Sequence, residues 1–180
     1  MDQTQQKFNL GKRVYDLCYL RGEFKLRSGQ ISHEYFDKYR FESDPKVLKE
    51  LGQLMAAKIP AGTQVLAGLE MGGIPVATAI GMESQIPLIF VRKKPKEYGT
   101  CKIAEGMDFK GKKVVVIEDV ITTGGQVFES VAELRKEGAI IDTVLCVILR
   151  GGAEIPEKFQ KDGLTLIPLF TADDLRSKEA

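Results

Sequence analysis

The stretch VVVIEDVITTGG, residues 114–125, decides the fold. Val114, Val115, Val116 and Ile117 predict a strand over 113–117, because a near-continuous β-branched run suits a strand covered on both faces. Helical spacing resumes at Val127, Val131 and Leu134 and stops at Gly138, which predicts a helix over 127–137. Thr122, Thr123, Gly124, Gly125 and Gln126 therefore stand at a helix N-terminus, where unpaired amides and the helix dipole favour a phosphate. Glycines let the backbone approach an anion, and threonine hydroxyls add donors. Glu118 and Asp119 would repel that phosphate, so they must face another part of the ligand. Ribose hydroxyls suit them, as does positive charge developing on a sugar ring. Composition alone favours a duller alternative, a polar turn whose acids are solvated. The chain has neither a Walker A lysine motif nor a GxGxxG after a strand, which disfavours ordinary nucleoside-triphosphate and dinucleotide loops.

Outward from this stretch the same rhythm repeats. Strands are expected over 63–69, 87–92, 141–149 and 164–170, and a helix over 74–82. Such alternation predicts an α/β fold with a mostly parallel central sheet flanked by helices, its ligands beyond the carboxyl ends of the strands. The residues of interest fall there: Glu70 to Gly73, Arg92 onward, Glu118 onward, and Arg150 to Gly152. Towards the N-terminus a helix is expected up to Arg21, stopped by Gly22. The segments EFKLRSG (23–29) and EYFDKYRF (34–41) look extended, as a small hairpin. Asp44-Pro45 is a good helix start, and Val47, Leu48, Leu51, Leu54 and Met55 form one apolar stripe behind it. A short helix is expected from about residue 171.

At 180 residues the chain fits a single domain over 1–180 with a sizeable core. Lys+Arg number 26 against 25 Asp+Glu, so no overall field draws it to nucleic acid or a membrane surface. Anion chemistry must come from local clusters. No run approaches a membrane span, and the polar N-terminus lacks the apolar core of a secretory signal. The 3 cysteines, Cys18, Cys101 and Cys146, are scattered and odd in number, which argues against a disulfide framework and for a reducing cytoplasm. One histidine and no paired cysteines leave a structural zinc site without ligands.

Taken whole, residues 114–125 resemble the phosphoribosyl-diphosphate (PRPP) binding signature of type I phosphoribosyltransferases. Four further segments resemble the orotate branch of that family. GEFKLRSGQISHEYFD (22–37) is similar to its N-terminal hood, RKKPKEYG (92–99) to its catalytic loop, GLEMGGIPVA (68–77) to its pyrophosphate loop, and LRGG (149–152) to the place of an arginine for a substrate carboxylate. The resemblance implies Mg²⁺-dependent transfer of the phosphoribosyl group of PRPP to orotate, giving orotidine 5′-monophosphate and pyrophosphate for pyrimidine (UMP) synthesis. The Mg²⁺ would be held mainly by PRPP and water, with Asp119 as a candidate ligand. A hood over about 22–40, with parts of the C-terminus, and a mobile catalytic loop over about 93–108 are also implied.

Residue roles follow from the same resemblance. Arg92, Lys93 and Lys96 would contact the pyrophosphate, with Lys96 the main catalytic lysine, reaching across a homodimer from the neighbouring subunit. Tyr98 would join the PRPP contacts. Glu118 and Asp119 would hold the ribose and offset charge on the ring, while Thr122, Thr123, Gly124, Gly125 and Gln126 wrap the 5′-phosphate. The amides of Met71, Gly72 and Gly73 would form an anion nest in place of a lysine that some members carry at position 72. Arg27, Tyr35, Phe36, Thr122 and Arg150 would take the orotate, Arg150 by a bidentate pair with its carboxylate. Tyr98 replaces a histidine of other members, and Gln126 is bulkier than the small residue expected. His33 reads as an exposed turn residue. Two alternatives stay open: a type I phosphoribosyltransferase for another nucleobase, and a PRPP- or nucleotide-sensing regulator that keeps the fold and binds RNA or DNA.

Overall fold

The computed structural model describes residues 2–25, 28–94 and 102–176. In chain order the elements are α1 (Gln3–Cys18), β1 (Tyr19–Lys25), β2 (Ile31–Phe36), α2 (Tyr39–Ser43), α3 (Pro45–Ala56), β3 (Val65–Leu69), α4 (Gly73–Ser84), β4 (Leu88–Val91), β5 (Ala104–Gly106), β6 (Lys113–Ile121), α5 (Gly125–Lys136), β7 (Ile140–Leu149), α6 (Glu154–Lys161), β8 (Thr165–Thr171) and α7 (Ala172–Arg176). The main sheet has the order β5-β4-β3-β6-β7-β8 and is parallel except for β5, which pairs antiparallel with β4. A separate antiparallel ribbon joins β1 to β2.

Alternating residues of the central strands feed two cores, one on each face of the sheet. Val114, Val116, Val144 and Cys146 pack with Val127, Val131 and Leu134 of α5 and with Ile155 and Phe159 of α6. Val115, Ile117, Leu145 and Val147 pack on the other face with Leu10 and Val14 of α1, Leu51 and Met55 of α3, and Val76 and Ile80 of α4. Burial on both faces explains why these strands read as unbroken apolar runs. Asp44 caps α3 as expected, its Oδ1 accepting from the amides of Lys46 and Val47 at 2.9 and 3.0 Å.

Five local expectations are corrected. First, α1 ends at Cys18 rather than Arg21, because residues 19–21 pair with 34–36 and the Tyr15 and Tyr19 rings stack 4.8 Å apart across the helix–strand junction. Second, residues 37–41 are not extended. Asp37 accepts from the amide of Tyr39 at 3.2 Å and turns the chain into α2, which buries Phe41 and Glu42. Third, β6 continues to Ile121, since Glu118, Val120 and Ile121 still pair with Cys146, Ile148 and Leu149 of β7. The two acids thus lie inside a strand and not beyond its end. Fourth, residues 104–106, expected within the catalytic loop, form β5. Gly106 there has φ +121° and comes so close to β4 that a Cβ would stand 2.8 Å from the Leu88 carbonyl oxygen, so it is a fixed edge position. Fifth, a helix not expected between β7 and β8, α6, buries one face through Ile155 and Phe159 at i,i+4 spacing.

Helices α3 and α4 meet at Gly52, where a Cβ would stand 2.7 Å from the Ala79 carbonyl oxygen. Gly52→Ala should therefore cost about 1–3 kcal/mol of stability by forcing the helices apart, despite alanine's better helix propensity. Urea unfolding followed by far-UV circular dichroism checks this; a variant as stable as the parent would show that the contact relaxes freely.

Candidate active site

The site is built where β3 and β6 lie side by side. Asp119 on β6 has no exposed surface. A buried carboxylate needs partners, and this one has them on several sides. Its Oδ1 accepts from the amide of Val120 at 2.5 Å, and its Oδ2 pairs with Lys38 Nζ at 2.5 Å. Lys38 comes from the short link between the ribbon and α2. Glu42 of α2, 8% exposed, lies on the same carboxylate.

Three acids in such a space do not all ionise. Burial, and then a hydrogen bond with Asp119, pushes both Glu42 and Glu118 up to about 9. Burial acts to raise Asp119 as well, but hydrogen bonds from Glu42, Glu118 and Lys38 outweigh it and hold its carboxyl below the ordinary value. Lys38 is raised: burial works against its charge, and the Asp119 hydrogen bond and charge overcome that. At neutral pH the cluster is thus one carboxylate, two proton-bearing acids and one ammonium. It is neutral overall, and Asp119 is its ionised acceptor.

The loop from β3 to α4 closes the cluster from the other side. Met71 is exposed, while Gly72 and Gly73 are buried against β6. A Cβ on Gly72 would overlap Asp119 and stand 2.6 Å from Glu42 Oε1, and one on Gly73 would overlap the Ile117 carbonyl oxygen. Glycine is demanded by close approach here, since Gly72 has an ordinary φ of −72° and caps α4. No residue from 71 to 73 has positive φ, so these amides form a helix start rather than the alternating nest expected.

The phosphate-type loop follows β6 directly. Thr122, Thr123, Gly125 and Gln126 are exposed around a concavity of about 120 Å³ that Glu118 and Val120 also line. Gly124 caps α5 with φ 78°, and a Cβ there would meet Phe159 at 2.7 Å. Glycine is required on both counts. Gly151 of the LRGG segment serves the same end from outside, passing against the Thr122 carbonyl oxygen where a Cβ would overlap.

Other expected residues divide into three groups. Phe36 and Arg150 are brought together, the Arg150 guanidinium 5.6 Å from the Phe36 ring centroid, while the Arg150 amide donates to the Ile121 carbonyl at 2.8 Å. They border a small apolar cavity with Tyr15, Tyr19, Ile148 and Leu175. Tyr35 is turned to the opposite face of the ribbon and stacks on Phe24 at 5.4 Å. Arg92 points to Glu105 of β5, Nε to Oε1 3.7 Å, and Lys93 is exposed. Arg27, Lys96 and Tyr98 lie outside the described residues, as does Cys101. Cys18 and Cys146 are buried thiols whose pKa burial raises, Cys18 to about 12, which makes them inert. His33 is exposed.

Neither Lys38 nor Glu42 stands out in the sequence. Their i,i+4 spacing is the single local signal, and it reads as an ordinary surface ion pair on a helix.

A parallel sheet with a buried acid inside its central strand, followed at once by a hydroxyl- and glycine-rich helix start, defines an α/β protein made for a phosphorylated sugar. Comparison with known proteins narrows this. Residues 40–173 match the family model described as "Phosphoribosyl transferase domain". The chain is 49% identical over 160 residues to an orotate phosphoribosyltransferase of Nocardioides sp., covering 88% of each. It is 43% identical to that of Methanocaldococcus jannaschii over 180 residues, 99% of this chain and 100% of the relative. The crystal structure of Mycobacterium tuberculosis orotate phosphoribosyltransferase in complex with PRPP superposes with a TM-score of 0.78 at 28% identity, covering 95% of this chain and 99% of that one. The chain belongs to the orotate phosphoribosyltransferases of the type I phosphoribosyltransferase family.

The shared proton on Glu42 gives the site a pH signature. Between about 4.5 and 9 the unfolded chain releases this proton and the folded chain keeps it, so the parent loses stability as pH rises through that window. Glu42→Gln mimics the protonated acid and removes that dependence. Its melting temperature should match the parent near pH 5 and exceed it near pH 8.5. Thermal melts across that range check this; a difference independent of pH would mean that Glu42 is ionised in the fold.

Proposed function

We propose that this chain is an orotate phosphoribosyltransferase, transferring the phosphoribosyl group of PRPP to N1 of orotate. The C1′–N1 bond forms as the C1′–oxygen bond to pyrophosphate breaks. The observation that carries the proposal is the acid pair on β6, with Asp119 against the helix start at Gly72 and Glu118 lining the open loop at 122–126. That spacing suits a ribose held between a diphosphate and a 5′-phosphate. The names of the relatives and the PRPP complex of the tuberculosis protein support the same reading.

In this reading Asp119 accepts the ribose hydroxyls and, by its charge, favours the oxocarbenium character that grows at C1′ as the leaving group departs. Glu118, carrying its proton, donates within the cluster and keeps Asp119 charged. Thr122, Thr123, Gly124, Gly125 and Gln126 hold the 5′-phosphate with hydroxyls and helix-start amides. Neither acid acts as a nucleophile. Arg150, backed by the Phe36 ring, pairs with the carboxylate that distinguishes orotate from uracil. Arg92, Lys93 and Lys96 neutralise the leaving diphosphate and Tyr98 joins the PRPP contacts, while Arg27 serves the base; Tyr35, stacked on Phe24, takes no part in it.

Among the described residues no group of three metal-ligating side chains is present. One ionised carboxylate suits Mg²⁺ that is held mainly by ligand phosphates and water, which is how Mg²⁺ usually binds. Asp119 is its protein ligand here if any is, and the ion would offset charge on the diphosphate. We further propose a homodimer in which Lys96 serves the neighbouring subunit's site. The placement we propose is cytoplasmic. No described helix is long and apolar enough to cross a membrane.

The direct test is pyrophosphate release from PRPP and Mg²⁺ with orotate, uracil, hypoxanthine or adenine. Turnover with orotate alone is expected, and turnover with a purine or uracil instead would overturn the assignment. In the same assay Arg150→Ala should raise KM for orotate about 10- to 100-fold with little change for PRPP, the loss expected of a charge-assisted pair. Lys96→Ala should lower kcat about 100-fold or more. Mixing it with an inactive Asp119→Ala chain should then restore part of the activity, because a mixed dimer rebuilds one intact site. Absence of any recovery would assign Lys96 to its own subunit.

A further inference from the structure

The described pyrophosphate-side loop brings no cation of its own to a dense anion. Residues 70–73 are Glu, Met, Gly and Gly, and position 72 has no room for a side chain, because its Cβ would overlap Asp119 and crowd Glu42. Yet a cation does reach this spot from elsewhere in the fold. Lys38 Nζ holds the same Asp119 oxygen that a side chain at 72 would strike, so its ammonium lies beside the start of α4. The Tyr39 ring lies 5.3 Å from it, and the Lys38 side chain is 32% exposed.

Resting on the PRPP reading above, we infer that Lys38 is a diphosphate-binding residue of this enzyme, supplied by the ribbon–α2 link to a loop that lacks a cation. Without ligand, Lys38 and Asp119 satisfy each other. Ribose hydroxyls arriving at Asp119 take over its lone pairs, and the ammonium is handed to the diphosphate next to it. The other oxygen of Asp119 keeps the amide of Val120 when Lys38 turns away. Glu42 Oε1 and Asp119 Oδ2 both stand where a side chain at 72 would go. Gly72 is then part of the same device: a side chain there would displace both acids.

Calorimetric titration of the full chain with Mg²⁺–PRPP and, separately, with Mg²⁺–pyrophosphate tests this. Lys38→Met should weaken both ligands by about tenfold or more, as loss of a charge-assisted contact does. Lys38→Arg should regain most of the pyrophosphate affinity. Pyrophosphate has no ribose, so it separates a direct contact from an effect through Asp119. If Lys38→Met binds PRPP weakly but pyrophosphate as tightly as the parent, Lys38 only keeps Asp119 in order, and the inference fails. Equal binding of both ligands by parent and variant overturns it as well. If the parent itself binds neither ligand, the PRPP reading falls first. Should the methionine variant fail to fold, Lys38→Gln, which keeps a donor without the charge, gives the same comparison.

Discussion

A fully buried carboxylate inside the central strand is the constraint around which the rest of this structure is arranged. Ionised Asp119 would be costly in a dry sheet, since even a well-paired buried charge scarcely recovers its desolvation. The fold meets that cost with groups from separate elements: Lys38 ahead of α2, Glu42 within α2, Glu118 beside it on β6 and the amide of Val120. Each partner fixes something further. Lys38 and Glu42 tie the ribbon and α2 to the sheet, so these N-terminal elements are aligned to the strand by the site itself. Gly72 and Gly73 are glycines because the third side of the carboxylate is where α4 must begin.

The protonation pattern then decides what the cluster can do. Were Glu42 and Glu118 ionised, the strand would present three negative charges to a ligand whose phosphates are themselves anionic. With both proton-bearing, the cluster offers one acceptor in a neutral setting. A ribose hydroxyl finds a strong acceptor there, and the neighbouring phosphates meet little net repulsion. The two segments proposed to face phosphates are helix starts, 71–73 at α4 and 122–126 at α5, so both bring amide donors and favourable dipole ends.

Features governed by neighbours in the chain were legible in the sequence. The apolar strands, the Asp44-Pro45 cap and the glycine at 124 follow from periodicity, capping chemistry and backbone freedom, all of which are local. What was hidden depends on partners far along the chain. Strand β6 reads as ending at Ile117 because two carboxylates follow, and the partners that make burial of Asp119 tolerable include Lys38 and Glu42, almost eighty positions or more earlier. The segment 37–43 carries aromatic residues that suit a strand, but Asp37 starts a turn, and the pull of Phe41 and Glu42 into the interior makes it a helix. Edge strand β5 is three residues long and is recognised by its pairing with Ile89, Phe90 and Val91 rather than by any pattern of its own. Within the site, the hydroxyl- and glycine-rich loop and the acid pair were visible, while Lys38 and Glu42 looked like surface charges.

The antiparallel edge also changes how the basic segment after β4 should be understood. A βα loop would be held at its strand end and released into a helix. Here β4 and β5 pair, and the segment leaves and returns through one closed base: the amide of Arg92 donates to Ile103 at 2.8 Å, and Arg92 reaches Glu105 across the same pair of strands. Glu70, at the end of β3, accepts from the amide of Lys93 at 2.6 Å, which fastens that base to the pyrophosphate-side loop. The first cations of the segment are therefore anchored beside the start of α4. Lys38 approaches that start from the opposite side, through Asp119. In the proposed reading a diphosphate there would meet a cation delivered by the ribbon on one side and cations from the sheet edge on the other, with the glycines at 72 and 73 adding no side chain between them.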